Sequence, residues 1–144
     1  MSESKLTKLK LLDGYRFIAI FDENGIPSLV VDEQKPIGEN AGPDPTSLLS
    51  VAVGQCLSSS LLYCMQKARV KVMNLETIVR AAKERNGEGF LRIRTLDVQL
   101  HLVVNEEDKE RVARCLEIFE NYCTITQSVI RGIKVNVNIV ETST

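Results

Sequence analysis

Four cysteines, Cys56, Cys64, Cys115 and Cys123, are the residues of this chain best suited to chemistry. A thiolate can be a nucleophile, a metal ligand or half of a disulfide, and its surroundings decide which. Zinc needs several such donors at close spacing. No C-x-x-C pair occurs here and His101 is the sole histidine, so no metal site is expected. Structural disulfides belong mainly to exported chains. The opening MSESKLTKLKLL mixes charges into its apolar residues and lacks the apolar run of a signal peptide. The four are therefore expected as reduced thiols in a cytoplasmic protein, with packing the default role of each and nucleophilic chemistry the alternative. Cys56 poses that choice most sharply, because GPDPTSLLSVAVGQCLSS begins as a turn at Gly42 and carries Cys56 into an almost unbroken apolar run.

That run must be a helix. Asp44-Pro45 followed by Thr46 and Ser47 supplies helix-start chemistry, since oxygen-bearing side chains cap free N–H groups and proline tolerates the first turn. The helix is predicted over Thr46 to Lys67. Its apolar residues surround most of its circumference, so it needs cover on several sides. Gly54 weakens the helix interior and points to a close approach at that level. Cys64 lies eight residues beyond Cys56 on this helix, and Cys115 stands in the same relation to Cys123. Both are expected to be structural thiols.

The flanking elements follow from alternation and turn chemistry. YRFIAIF, Tyr15 to Phe21, then DENG and SLVVD, predict a hairpin. EQKPIGENAGPDP carries three prolines and two glycines, which makes it an extended loop. LETIVRAAK and FLRIRTLDVQLHLVV are strands joined at NGEG, with a phase slip near Arg94 and Thr95 that implies a bulge. Asn105 before Glu106, Glu107 and Asp108 predicts a capped second helix reaching Tyr122, with Cys123 at its C-terminal end. Ile133, Val135, Val137 and Ile139 then alternate with Lys134, Asn136 and Asn138, as in a half-buried strand.

With 144 residues, 44% hydrophobic and 26% charged, the chain suits one domain over residues 1–144. A formal net charge of -1 offers no excess of positive charge for nucleic acid or anionic lipid, so neither is an expected partner. No stretch reads as a membrane span, and the first helix reads as a core helix.

Two segments resemble the osmotically inducible and organic-hydroperoxide-resistance family, OsmC/Ohr. GPDPTSLLSVAVGQCLSSSL is similar to the family's G-x-x-P-x-x-L-L-x-A-x-x-x-C-L helix. ENYCTITQSVIRGIKVNV is similar to its C-P-V-x-x-x-L-x-x-G segment. The order of elements fits from about Gly14 to Glu141. The resemblance implies an α+β fold with antiparallel sheets packed on two long central helices, an intertwined homodimer, and an active site at the subunit interface. It implies a thiol-dependent peroxidase in which Cys56 is the attacking thiolate and Cys123 the resolving thiol, with an external dithiol as reductant and no cofactor. Arg16 matches the arginine that the family sets beside the thiolate. The family's glutamate partner is replaced by Thr46, and the proline after the second cysteine by Thr124; Glu39 is a carboxylate available to stand in.

Two classes of function follow. One is a peroxidase for organic hydroperoxides, and possible hydrogen peroxide turnover, with an apolar interface pocket. The other is a binding or stress-response dimer of the same fold, whose pocket holds an apolar ligand and whose cysteines are incidental or redox-sensing. A disulfide oxidoreductase ranks third for want of a C-x-x-C pair. His101 falls on a polar phase and is expected to be exposed.

Overall fold

Strand β1, Thr7–Asp13, precedes the predicted hairpin and pairs antiparallel with β2, Arg16–Phe21, setting Thr7 opposite Phe21 and Leu11 opposite Phe17. This is a computed structural model and describes residues 3–143. All seven β1 residues are exposed, and Lys8 and Lys10 interrupt its leucines, as befits a strand at a sheet edge. The sequence pattern gave no sign of it. Gly14, at φ +49°, turns the chain into β2. The predicted hairpin itself forms, with β2 antiparallel to β3, Leu29–Val31, and Phe17 opposite Val31.

The proline-rich loop that follows is organised by Asp32. Its carboxylate, only 4% exposed, accepts the N–H groups of Glu33 (2.8 Å), Glu39 (3.1 Å) and Ala41 (3.1 Å). Burial by itself raises the Asp32 pKa, but these three donors, with the charge of Arg16, outweigh it and hold the carboxyl below its ordinary value. Gly42 is forced by proximity: a Cβ there would lie 2.1 Å from the Val30 carbonyl oxygen.

Helix α1, Pro45–Lys67, begins one residue before the predicted start. Asp44 Oδ1 accepts the Ser47 N–H at 2.8 Å and its carbonyl takes the Leu48 N–H at 3.0 Å, so the expected cap is made by Asp44. Val53, Gly54, Leu57, Ser60, Leu61, Cys64 and Met65 form its buried stripe, while Val51, Leu62 and Tyr63 are exposed. Burying Leu61 and Met65 completely contributes about 1.5–3 kcal/mol each. By length and composition α1 could cross a membrane, but its stripe is that of a helix packed against other elements of its own chain.

Strands β4, Val72–Arg85, and β5, Leu91–Val104, form a two-stranded ribbon through a turn in which the Asn86 N–H reaches the Phe90 carbonyl at 2.8 Å. The even-numbered Leu96, Val98, Leu100, Leu102 and Val104 are half-buried, and β5 runs unbroken through Arg94 and Thr95. His101 is exposed, as expected.

Four expectations for the C-terminal third are corrected. The second helix is short: α2 covers Lys109–Ile118, between 3-10 turns at Glu106–Asp108 and Phe119–Tyr122, so two long helices are not found. Asn105 precedes the first turn without a side-chain cap bond; the acid that matters is Asp108, buried and ion-paired to Arg111. A further helix, α3, Thr124–Arg131, follows, so Cys123 stands at its N-terminal cap position instead of closing the second helix. The segment after Gly132 forms no strand, and Ile133, Val135, Val137 and Ile139 are 60%, 77%, 81% and 86% exposed. Their alternation suits a sheet edge, but none among the described residues takes them up.

The chain falls into two compact units. One runs through Val51 and includes Val79–Asp97; the other comprises Ala52–Ile78 and the chain from Val98.

Candidate active site

Both thiols singled out by the sequence lie in the second unit, where they meet. Cys56 sits on α1 and is half-buried; Cys123, 0% exposed, sits where the 3-10 turn ends and α3 begins. They lie close enough for each sulfur to act on the other's ionisation, and both are free thiols. The contact follows from helix geometry, since Cys56 and Ser60 are one turn apart on α1 and both face Cys123.

The start of α3 supplies the rest of the site. Its first turn leaves N–H groups without intrahelical partners. Those of Ile125 and Thr126 act on Cys56, and that of Thr126 also acts on Cys123. Cys123 Sγ lies 2.8 Å from Thr126 Oγ1: as a thiol it donates to the hydroxyl, and as a thiolate it accepts from it.

These contacts divide the pair. Burial is the largest influence on Cys56 and pushes its thiol above the ordinary value, helped by the contact with Cys123 and only partly opposed by the two N–H groups. Burial is also the largest single influence on Cys123 and acts upward. There it is outweighed by hydrogen bonds from Cys56, from the Thr126 hydroxyl and N–H, and from the Ser60 hydroxyl, which bring Cys123 below its ordinary value. The contact between the two sulfurs thus acts upward on Cys56 and downward on Cys123.

Arg16 belongs to the first unit, at the start of β2. Its Nη2 donates to Asp13 Oδ2 at 2.5 Å, its charge also acts on Asp32, and its Nε is buried without a partner. Arg16 lines a surface depression of about 280 Å³ with Asp13, Tyr15, Asp32, Ile37 and Glu39. The structure thus brings Arg16 and Glu39 to one depression. Thr46, at the position of the resembled family's glutamate, is half-buried in the first turn of α1.

Ser60 and Thr126 are the site residues that sequence reasoning missed. The run C-T-I-T had a readable signal, because a polar residue followed by threonines is helix-start composition.

The OsmC-like protein family model matches residues 38–138, a span that includes both thiols of the pair. An OsmC-like protein of unknown function from Vibrio cholerae superposes with a TM-score of 0.72 at 17% identity, over 89% of this chain and 94% of that one. An OsmC-like protein from Mycoplasma pneumoniae gives 0.73 at 16% identity, over 97% and 98%. An organic hydroperoxide resistance protein from Elizabethkingia anophelis gives 0.58 at 16% identity, over 89% of each chain. At such identities the likeness concerns the α+β fold alone, and no curated protein matches the chain. The family model covers well over half of the sequence, including the capped helix that carries Cys56 and the turn that carries Cys123, and by that match the chain belongs to the OsmC-like family.

Proposed function

We propose that the chain is a thiol-dependent peroxidase that reduces organic hydroperoxides, and hydrogen peroxide with them, through Cys56 and Cys123, with an external dithiol as reductant and no cofactor. The observation that carries this reading is the contact between the two thiols at the start of α3, where N–H and hydroxyl donors can hold a sulfur anion.

Cys56 is the sulfur a peroxide can reach, since Cys123 is 0% exposed. The reactive form arises when the shared proton moves to Cys123, whose S–H then donates to Thr126 Oγ1 at 2.8 Å. The Cys56 thiolate, facing the Ile125 and Thr126 N–H groups, attacks one peroxide oxygen. The S–O bond forms, the O–O bond breaks, and the alcohol leaves with a proton, so that Cys56 becomes a sulfenic acid. Cys123, the sulfur favoured as thiolate, attacks Cys56; the S–S bond forms and the hydroxide released takes a proton to become water. The external dithiol restores both thiols by exchange. In this scheme Cys123 is the better anion because its turn comes second.

Arg16 enters the proposal as a group that guides or holds the peroxide. The working form is a homodimer in a reducing, cytoplasmic setting. Its support is the apolar surface a single chain leaves open: Val51, Leu62 and Tyr63 on α1, and the alternating segment from Ile133 to Ile139. A second copy offers that segment a sheet edge. Sedimentation equilibrium should return twice the chain mass; a monomer at micromolar concentration would remove this part.

A second reading, a non-catalytic dimer that binds an apolar ligand, is favoured by one fact: burial raises the Cys56 thiol above its ordinary value. One experiment separates the two. Consumption of cumene hydroperoxide and hydrogen peroxide is followed with a dithiol, for the wild type, Cys56→Ser, Cys123→Ser and Arg16→Ala. Peroxidase action predicts turnover by the wild type, none by Cys56→Ser, a stalled sulfenic acid in Cys123→Ser, and slowed attack in Arg16→Ala. Equal inertness of all four folded proteins leaves the binding reading.

A further inference from the structure

The peroxide chemistry above uses two of the four thiols. The other two are also neighbours: Cys64 on α1 and Cys115 on α2, 8% and 3% exposed, lie close enough for the Cys64 sulfur to act on the Cys115 thiol. The two contacts share one register. Eight residues forward along α1, from Cys56 to Cys64, correspond to eight residues backward, from Cys123 to Cys115. The register continues another turn, where Arg111 Nη1 donates to the Ala68 carbonyl at 3.0 Å. Antiparallel packing of α1 against the segment from α2 to Cys123 thus sets two thiol pairs on successive levels, about 12 Å apart along the helix at 1.5 Å per residue.

We propose that Cys64 and Cys115 are a second redox couple, which closes under excess hydroperoxide into an intrachain disulfide joining α1 to α2. Direct exchange with the first pair is prevented by the distance between the levels, so this couple reacts on its own with a small hydroperoxide. Cys115 keeps its proton, since burial and the contact with Cys64 push its thiol up to about 11. Cys64, 8% exposed against 3% for Cys115, is the attacking sulfur: its S–O bond forms as the O–O bond breaks, and the alcohol, or water from hydrogen peroxide, leaves with a proton. Cys115 then condenses with the Cys64 sulfenic acid, the S–S bond forming as water departs. Two thiols are oxidised and one hydroperoxide is reduced. A disulfide needs its Cα atoms within roughly 7 Å, so closure fixes α1 and α2 at that spacing on this level. Burial makes closure slow and, once made, shelters the bond from reductants. The couple therefore records sustained peroxide stress and leaves the rapid cycle to Cys56 and Cys123.

The test uses the full-length Cys56→Ser/Cys123→Ser variant, so its outcome does not depend on the first pair being a peroxidase. After graded hydrogen peroxide and denaturing alkylation, the expected product is a single chain about 2 Da lighter with neither thiol alkylated, and dithiothreitol reverses it. A peptide joining Cys64 to Cys115 should also appear in digests of oxidised wild-type protein, which keeps the test decisive if the variant folds poorly. Closure should be at least roughly ten-fold slower than the first oxidation of the wild type. Two thiols still alkylatable after prolonged peroxide, oxidation to sulfinic acid without a cross-link, or a cross-link only between chains would each overturn the proposal.

Discussion

Replacing Thr126 with valine keeps the shape of the side chain and removes one hydroxyl, the one 2.8 Å from Cys123 Sγ. A hydrogen bond to a charged acceptor contributes about 1.5–3 kcal/mol, and the low end applies because Thr126 is only half-buried. About 1.5 kcal/mol is roughly one pKa unit. The remaining donors, the Thr126 N–H, the Ser60 hydroxyl and Cys56, still act, so the Cys123 thiol should rise by about one unit and no more. Below its pKa this removes about nine-tenths of the thiolate, while the more basic sulfur is intrinsically more nucleophilic, with a Brønsted slope near 0.4–0.5. The two effects leave the resolving step roughly three-fold slower. The thiolate's ultraviolet absorbance, titrated as a difference between variant and wild type, reads the first quantity. The lifetime of the Cys56 sulfenic acid after one equivalent of peroxide, trapped with dimedone at timed intervals, reads the second. Thr126→Ser should behave as wild type in both. An unmoved titration midpoint in a folded Thr126→Val protein would refute the claim that the start of α3 holds the charge on Cys123.

Two further outcomes follow from titrating groups outside that contact. Asp44→Ala removes the cap of α1 and should cost about 1 kcal/mol in urea denaturation at neutral pH. The Asp44 carboxyl is held below its ordinary value of 3.8 chiefly by the Ser47 hydroxyl and N–H. Its contribution is present above that value and lost as pH falls through the lower folded one, so the variant and wild-type curves should converge only in strong acid. Cys115 acts in the opposite direction, raised from 9.0 to about 11 in the folded chain. Its contribution is fully present below pH 9.0 and disappears as pH rises to about 11, a loss that Cys115→Ala should abolish in alkaline denaturation series. Parallel curves for that variant and the wild type would show that Cys115 is not buried against Cys64 in solution.

The elements read correctly from sequence are those whose signals are local. Asp44-Pro45 before an apolar run fixes the start of α1 to within one residue, and N-G-E-G fixes the turn between β4 and β5. β1 was illegible because an edge strand exposed on every residue has no buried face to impose a period. The second helix reads too long for a related reason: of the apolar residues Val112, Leu116, Phe119 and Cys123 that keep a helical spacing, all but Leu116 are buried, although the backbone passes through a 3-10 turn at Phe119–Tyr122. Burial periodicity reports which side of a segment faces the core, and a 3-10 turn preserves that side while ending the α-helix. The segment from Ile133 to Ile139 alternates as a strand but finds no edge within the described chain, and alternation says nothing about which chain supplies the partner.

The same reasoning locates the limit for the site. Cys56 and Cys123 were legible as candidates by residue type and by resemblance, but the distribution of charge between them was not, because it depends on where α3 begins. Had the second helix run to Tyr122 and ended at Cys123, the second thiol would have faced carbonyl groups and the negative end of a helix dipole, which disfavour a thiolate. A break at that point reverses the sign: Cys123 instead meets N–H groups and a hydroxyl, and becomes the sulfur that carries charge more easily. The attacking sulfur of a two-thiol peroxidase must be reachable, whereas the resolving sulfur must ionise promptly where solvent does not reach. A half-buried Cys56 on α1 and a fully buried Cys123 at the start of α3 meet these two demands separately. On this view a raised Cys56 thiol argues less against catalysis than it would for an isolated cysteine, because its proton has a neighbouring sulfur to which it can move.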